Sequence, residues 1–319
     1  MKKKKGKLFF LAEYIGFQAA VAVSRALPFR ALRWLCHMLG GILYATIPRR
    51  RDIAVKNIRI AFGDQLTSAQ VRKLALESCR SFFLTAVEMM RSPFRFEGTQ
   101  VIRDERYKTE HLEQLFRKAK KIHDEAGGCI FITPHIGNWE MLPYVSSLIG
   151  IPLAIVMRPM DNPYLERLIL SSRITSGQVI VPKKNAMFVL ERMLRHGKSI
   201  GMLPDQSTSR GLRVEFFGQK ATVTPVPALL AISYHRPIVI VAACRTSDPF
   251  YFQGYVSDPI WPEKNLSRIG GEQQEMVRIT REINLRMEEI IRKHPEQYLW
   301  MHNRWKDAAR RSTFEGLSR

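Results

Sequence analysis

Residues 127–140 read GGCIFITPHIGNWE, and this stretch decides how the chain is expected to fold. The apolar run 129–132 follows two glycines, a pattern typical of a buried strand in an α/β sheet. His135 and Glu140 come just after that strand, and ligands of open α/β sheets bind at the carboxyl ends of the strands. The stretch therefore predicts a strand that places a histidine and a carboxylate at the edge of a binding cleft.

His135 and Glu140 need a turn between them, because on a continuous helix their spacing would separate them by roughly 140°. Gly137 and Asn138 tolerate unusual backbone angles, and Asn138 is a suitable cap for a helix that begins at Trp139. We predict that Glu140, in the first helical turn, reaches back to His135. A carboxylate on one imidazole nitrogen fixes the tautomer and makes the other nitrogen a better base.

Two other interpretations of the pair His135 and Glu140 stay open at this point. The histidine can be a packed core residue, with Glu140 an ordinary acid at a helix start. A metal site is less favoured, because no third ligand lies nearby in the sequence. No serine or cysteine stands beside the histidine as a nucleophile, which favours direct transfer over a covalent intermediate.

Three further segments follow in order: IVMRP at 155–159, GMLPDQ at 201–206 and WMHNRWK at 300–306. With the H-x4-E motif they resemble the bacterial lipid A biosynthesis late acyltransferases, lauroyl- and myristoyl-transferase-like members of the lysophospholipid and glycerolipid acyltransferase superfamily. The resemblance covers nearly the whole chain, up to Lys306. It implies transfer of a fatty acyl group from acyl carrier protein to a phosphorylated glucosamine disaccharide lipid. It calls for no metal and no tightly bound cofactor.

Under this hypothesis His135 takes the proton of the acceptor hydroxyl, and Glu140 orients and charge-balances His135. Arg158 follows a predicted strand and is expected to bind phosphate or the carbonyl oxygen that becomes negative in the transition state. Asp205 and Gln206 stand where the superfamily often carries a Pro-Glu-Gly motif, and they are expected to organise the site.

Two weaker groups of substrate-binding candidates lie further along the chain. Arg213, with the neighbouring segment 216–218, is a candidate for lining the acceptor or acyl entrance. His302, Arg304 and Lys306 occupy alternate positions, so in an extended chain they would point to one face and form a cationic row suited to phosphate.

The charge of the chain points to acidic partners. Lys and Arg number 50 against 29 Asp and Glu, which gives a formal net charge of +21. Nucleic acid, anionic lipid headgroups and acidic carrier proteins all suit such a charge. Nucleic acid ranks last, because the sequence has no zinc-finger spacing and no RNA-recognition signature. We expect an anionic membrane surface and an acidic acyl carrier protein, or acyl-CoA, as partners.

The N-terminal region alternates basic clusters with two apolar runs, at 8–23 and 34–47. A single crossing would place one basic cluster on the outer side, against the positive-inside tendency. We therefore predict that residues 1–50 lie partly within the cytoplasmic leaflet, whereas the resemblance implies an N-terminal membrane helix. A small-residue segment at 20–22 also leaves a cleaved signal peptide open. The expected location is the bacterial inner membrane, with the catalytic domain, residues 51–319, on the cytoplasmic face.

Predicted strands and helices alternate after the histidine motif. The strands are expected at 153–157, 179–181, 199–203, 237–243 and 251–256, and the helices at 163–176, 186–195 and 225–234. A capping box at Thr67 and Gln70 predicts an earlier helix. Such alternation predicts an α/β fold with a mixed, largely parallel sheet flanked by helices. Four cysteines in apolar contexts are expected to be buried, reduced thiols, which favours a cytosol-facing domain.

Two rival functions remain at this stage. The first is an acyl-CoA-dependent acyltransferase that acts on a lysophospholipid, an ornithine-type aminolipid or a mannosylated phosphoinositide. The second is a peripheral lipid-binding protein that has kept the fold without activity. The presence of His135, Glu140, Arg158 and Asp205 together argues against the second.

Overall fold

The computed structural model describes residues 6–91, 94–97, 100–103, 110–151, 153–175, 177–182, 186–247 and 251–306. Its helices are α1 (Lys7–Ala26), α2 (Phe29–Thr46), α3 (Pro48–Phe62), α4 (Ser68–Met90), α5 (Glu110–Ala126), α6 (Leu142–Leu148), α7 (Pro163–Thr175), α8 (Ala186–Arg195), α9 (Val226–Tyr234) and α10 (Glu272–Lys293). Its strands are β1 (Phe94–Glu97), β2 (Gln100–Arg103), β3 (Ile130–Ile132), β4 (Leu153–Met157), β5 (Val179–Pro182), β6 (Ser199–Met202), β7 (Leu212–Phe216), β8 (Gln219–Val223), β9 (Ile238–Arg245) and β10 (Phe252–Val256).

A six-stranded sheet in the order β10-β9-β3-β6-β4-β5 forms the centre of the protein. All its strand pairs are parallel except β9 with β10. The register pairs Ile130 of β3 with Ile200 of β6 and with Ile238 of β9. The predicted fold class, a mixed and largely parallel sheet flanked by helices, is confirmed.

The two faces of the sheet belong to different cores, because side chains alternate along each strand. Ile130 and Ile132 lie in the larger core, together with side chains from α3, α4, α8, α9 and α10. Phe131 points the other way, into a smaller core that also contains side chains from α5 and α6. The smaller core lies under the segment that carries the histidine motif.

Most predicted elements agree with the structure. The predicted capping box is present: the Thr67 hydroxyl accepts from the backbone N–H of Gln70, and the Gln70 side-chain oxygen accepts from the backbone N–H of Thr67. Asn162 caps α7 by accepting from the backbone N–H of Tyr164 at 3.0 Å. The four cysteines are buried and unpaired, as predicted. Burial raises the cysteine pKa to about 11 at Cys36 and Cys79 and about 12 at Cys129 and Cys244.

The predicted helix start at Trp139 is wrong. Residues 139–141 form a turn, and α6 begins three residues later, at Leu142. Asn138 caps the turn instead, because its side-chain oxygen accepts from the Met141 backbone N–H at 3.1 Å. Pro143 then occupies the first turn of α6, a position where its missing N–H costs nothing.

The N-terminal helices α1 and α2 pack on the rest of the protein. The side-chain amide of Asn162 donates to the carbonyl of Phe10 at 2.8 Å and to the Glu13 carboxylate at 3.1 Å. At the other end, the Arg91 guanidinium donates to the carbonyl of Leu27 at 2.8 Å. The two attachment points are 17 residues apart, about 25 Å of helix, so α1 lies along the protein over most of its length.

Candidate active site

His135 and Asp205 meet at the carboxyl edge of the sheet. His135 follows β3, Asp205 follows β6, and these strands are adjacent and parallel. The His135 ring donates from Nδ1 to Asp205 Oδ1 at 2.6 Å, and the His135 backbone N–H donates to Oδ2 at 2.8 Å. The Asp205 side chain is only 2% exposed. Both carboxylate oxygens are therefore used to fix the position of one residue.

The expected contact between Glu140 and the His135 ring is corrected by this geometry. The carboxylate on the ring is that of Asp205, whereas Glu140 pairs with Arg173 of α7 at 2.6 Å. The physical reason is the turn at 139–141, which replaces the helical turn expected to carry Glu140 back to the histidine. Glu140 and His135 nevertheless line the same pocket.

The second ring nitrogen of His135 faces the pocket side of the site. The Gln206 side-chain amide lies 3.2 Å from His135 Nε2, and Gln206 also lines the pocket. With the Nδ1 hydrogen donated to Asp205, Nε2 carries the lone pair and accepts from Gln206. The Trp139 ring packs on the imidazole with ring centroids 5.2 Å apart. The imidazole is thus held in one orientation and one tautomer.

The two partners shift each other's pKa. Burial alone would lower the pKa of His135, but the charge and hydrogen bond of Asp205, with a contribution from Glu140, outweigh it, so the pKa of His135 is raised. Burial likewise would raise the pKa of Asp205, but the interactions with His135 and the charge of Arg304 hold the pKa of this carboxyl below its usual value. Asp205 is therefore kept ionised next to a histidine that binds its proton more tightly.

Arg304 and Tyr298 lie behind Asp205. Arg304 is 2% exposed, and its Nη1 donates to the carbonyls of Thr222 at 3.1 Å and Gln206 at 3.4 Å. Burial lowers the pKa of Arg304, while the charge of Asp205 opposes that shift. Burial and the Asp205 charge raise the pKa of Tyr298 well above its ordinary value. A buried cation thus balances the buried carboxylate.

The predicted cationic row at His302, Arg304 and Lys306 is wrong, because residues 300–306 form turns and not an extended chain. Arg304 points into the core, Lys306 is exposed, and His302 is half-buried. The His302 ring accepts from the backbone N–H of Ser207 at 3.2 Å, so it supports the loop after Asp205. Burial lowers the pKa of His302, which fits its use as a neutral acceptor.

The expectation for the segment around Arg213 is also corrected. Phe216 and Phe217 are 0% and 5% exposed and pack in the larger core against the Trp300 and Trp305 rings. Their β7–β8 hairpin turn places apolar side chains inward, so they do not form an entrance. Of the described residues, those that line the pocket of His135 do not include Arg213.

The pocket beside His135 has a volume of about 480 Å³. Exposed or half-buried side chains surround its mouth, namely His135, Trp139, Glu140, Arg158 and Arg173. Buried apolar side chains line its interior, namely Phe131, Leu142, Leu153, Ile155 and Val241. The pocket can therefore hold a polar reacting group at its mouth and a hydrocarbon chain inside. The part of the chain that the structure describes contains no group of three or more His, Cys, Asp or Glu placed to hold a metal ion.

Helix α4 and the end of β9 contact the loop that carries His135, on the side of Gly137 and Asn138. Gly137 has a φ of +59°, and a Cβ there would lie 2.1 Å from the carbonyl oxygen of Ala243, so only glycine fits. The Gly137 carbonyl accepts from the Thr85 hydroxyl at 2.8 Å. Asn138 donates to Glu88 at 3.0 Å, and Glu88 pairs with Arg245 at 2.7 Å.

The sequence contained no local signal for these supporting residues. Glu88, Arg245 and Tyr298 lie on separate elements, and nothing in the pattern around each of them marks a site. Asp205 was expected to organise the site, but its bond to His135 joins residues 70 positions apart.

A histidine–carboxylate pair at the edge of an α/β sheet, beside an apolar pocket, fits the class of enzymes in which a general base takes the proton of a hydroxyl group next to an apolar ligand. Comparison with known families gives the more particular assignment. Residues 1–307 match the family model of the bacterial lipid A biosynthesis acyltransferases, and the protein belongs to that family. It is therefore a transferase of acyl groups.

Curated relatives carry the same assignment. The protein is 26% identical over 310 residues to a lipid A biosynthesis acyltransferase of Haemophilus influenzae, which covers 93% of this chain and 92% of the relative. It is 23% identical over 283 residues to the lipid A biosynthesis palmitoleoyltransferase of Escherichia coli, covering 88% of this chain and 86% of the relative. Both matches extend over most of each chain, so they support a lipid A acyltransferase function.

Proposed function

We propose that the protein transfers a fatty acyl group from a thioester to a hydroxyl group of a lipid A precursor, with His135 as general base. The observation that carries this proposal is the 2.6 Å bond between His135 and the buried Asp205 at the mouth of an apolar pocket. That bond leaves Nε2 of His135 turned to the space where an acceptor would lie. The acceptor hydroxyl takes the place of the Gln206 amide there.

The reaction then needs only the groups already at the mouth of the pocket. Nε2 of His135 removes the hydroxyl proton as the oxygen attacks the thioester carbonyl carbon. The tetrahedral intermediate collapses with cleavage of the C–S bond, and the imidazolium returns its proton to the leaving sulfur. Asp205 stays ionised throughout and stabilises the imidazolium.

The other residues at the mouth have supporting roles in this proposal. Arg158 is exposed at the end of β4 and stabilises the oxyanion or holds a phosphate. Glu140 acts as a charge near His135 and fixes Arg173 beside the pocket. Glu140 therefore assists the base at a distance, while Asp205 orients it directly.

The donor is proposed to be acyl carrier protein and the acceptor a phosphorylated glucosamine disaccharide lipid. The net charge of +21 favours both, because each is acidic. Acyl-CoA as donor is the alternative. A purified enzyme offered equal concentrations of the two thioesters, with products read by mass spectrometry, separates them.

The protein is further proposed to act at the cytoplasmic face of the bacterial inner membrane. Among the described helices, α1 is long and apolar enough to cross a membrane, and little of it is buried in the protein. Signal sequences have the same length and composition. Its attachment to the rest of the protein over about 25 Å favours a position along the leaflet over an isolated crossing. Apolar side chains such as Leu8 (83% exposed), Ile15 and Trp34 are then buried in lipid.

The test of the proposed function is His135→Ala. We expect the rate of acyl transfer to fall by about 10²–10⁴-fold, the range that a positioned acid–base group contributes. The matched control is His196→Ala, because His196 is an exposed histidine after α8. Full activity of His135→Ala with a lipid A precursor would remove this mechanism.

A further inference from the structure

Two cavities lie end to end beside the smaller core. The first is the pocket of His135, and the second is an apolar cavity of about 30 Å³ between the sheet, α5 and α6. Four side chains line both of them: Phe131, Leu142, Leu153 and Val241. These four, called the septum below, therefore separate the pocket from the space behind it.

The pocket is deep along the direction of β4. Arg158 is exposed at the mouth, just past the carboxyl end of β4, and Leu153 is 6% exposed at its amino end, in the septum. Leu153 and Arg158 are five positions apart, about 16 Å along the extended chain. The lining changes over that distance from polar at the mouth to apolar at the septum, which suits an extended hydrocarbon chain whose reacting end stays beside His135.

A glycine keeps the middle of this pocket open. Gly201 of β6 lines the pocket, and a Cβ at this position would lie 3.3 Å from Cδ1 of Leu153 and 3.6 Å from Cγ1 of Ile155. Any larger side chain at 201 would therefore enter the space between the mouth and the septum. Gly201 therefore controls the width of the pocket, and the septum closes its inner end.

We propose that the septum is the end stop that sets the length of the transferred acyl chain, and that Gly201 keeps the path to it clear. This inference rests on the proposed function, since it takes the acyl chain of the donor to be the occupant of the pocket. Chains that end before the septum leave apolar surface unfilled, and longer chains must push Phe131 towards the small cavity. In a hydrophobic pocket one methylene too many or too few changes kcat/KM by about tenfold or more.

Two substitutions are expected to move the preferred chain length in opposite directions. Phe131→Ala joins the pocket to the small cavity and should favour longer chains, and Phe131→Leu does the same to a smaller extent. Gly201→Val fills the middle of the pocket and should favour shorter chains. The matched control is Phe252→Ala, because Phe252 lies in the same core, is 4% exposed against 5% for Phe131, and lines neither cavity.

The experiment offers each purified variant an equimolar mixture of saturated acyl thioesters of even chain length, with a lipid A precursor, and reads the products by mass spectrometry. We expect the ratio of products with neighbouring chain lengths to change by about tenfold or more in the two predicted directions. Phe252→Ala should keep the wild-type ratio. Thermal unfolding shows whether each variant is folded. If Phe131→Ala does not fold, the result for Phe131→Leu is used in its place.

The outcomes separate this inference from the proposed function. Transfer with an unchanged product ratio in the Phe131 and Gly201 variants overturns the septum as the end stop. The same shift in Phe252→Ala also overturns it, because general loosening of the core would then be the cause. Failure of the wild-type protein to transfer any chain contradicts the proposed function itself.

Discussion

At the scale of single residues, Asp205 controls the state of His135. Both oxygens of its buried carboxylate bond His135, one through the ring and one through the backbone N–H. The charge and hydrogen bonds of His135, and to a smaller extent the charge of the buried Arg304, hold the pKa of Asp205 below its usual value and keep it ionised. Glu140, which the sequence suggested as the partner, contributes a charge effect without a bond to the ring.

Asp205→Asn should change both the rate and its pH dependence. In the proposed mechanism the neutral form of His135 is the reactive one, so kcat/KM should fall as the pH drops through the pKa of His135, which in the wild type lies above the ordinary value of about 6.5. Removing the Asp205 anion destabilises the imidazolium, lowers the pKa of His135 and moves the acid limb to lower pH. The plateau rate should fall about 10²-fold, because the tautomer is no longer fixed.

A pH profile of kcat/KM measures this effect, and Glu140→Gln is the comparison. Its acid limb should move less than that of Asp205→Asn, since Glu140 is a smaller cause of the raised pKa of His135. If the acid limb moved further in Glu140→Gln than in Asp205→Asn, the roles assigned to the two carboxylates would be reversed.

At the scale of elements, α4 holds the loop that carries His135 in place. Glu88, on the inner face of this helix, binds both Asn138 of the loop and Arg245 at the end of β9. Arg245 in turn donates to the Gly137 carbonyl at 3.2 Å. These contacts join a helix, a strand and a loop, so the position of His135 depends on elements far from it in sequence.

Glu88→Ala should therefore destabilise the protein strongly. It removes one partner of a buried ion pair, which leaves Arg245 uncompensated and costs about 3–5 kcal/mol in the free energy of unfolding. Glu77→Ala is the control on the same helix, because Glu77 pairs with Arg80 at a site where its side chain is 29% exposed, and it should cost no more than about 1 kcal/mol. Denaturant unfolding measures both, and equal losses would contradict the bracing role of Glu88.

At the scale of the whole molecule, the apolar surface of α1 and α2 is on the outside. Trp34, Met38 and Ile42 of α2 are all more than 40% exposed and recur every four residues, so they lie along one face. Such a surface on a chain with a net charge of +21 fits an anionic bilayer.

The double substitution Leu8→Asp and Ile15→Asp should weaken binding to vesicles that contain anionic phospholipids. Two charges would enter the apolar region of the leaflet, so the bound fraction in a flotation assay should fall about tenfold or more. Leu285→Asp on α10 is the control, because Leu285 is 53% exposed and Ile15 is 58% exposed. Unchanged binding of the double variant would exclude α1 as a membrane-contacting surface.

Local sequence patterns were enough to predict most of the elements and to point to His135 as the candidate base. Hydrophobic periodicity and capping are local properties, so β4 and α8 were predicted with the bounds that the structure gives them. The position of His135 after a buried strand was also local information, and it placed this residue at the edge of the sheet.

Which groups meet in the site depends on how the elements pack in three dimensions. Asp205 reaches His135 because β3 and β6 are neighbours in the sheet, a pairing that joins residues 70 positions apart and that no local pattern specifies. Arg304 is buried because turns replace an extended chain at 300–306, where the alternation of charges had suggested an exposed row. Periodicity gives the face on which a residue lies within its own element, whereas its partners depend on how the elements pack.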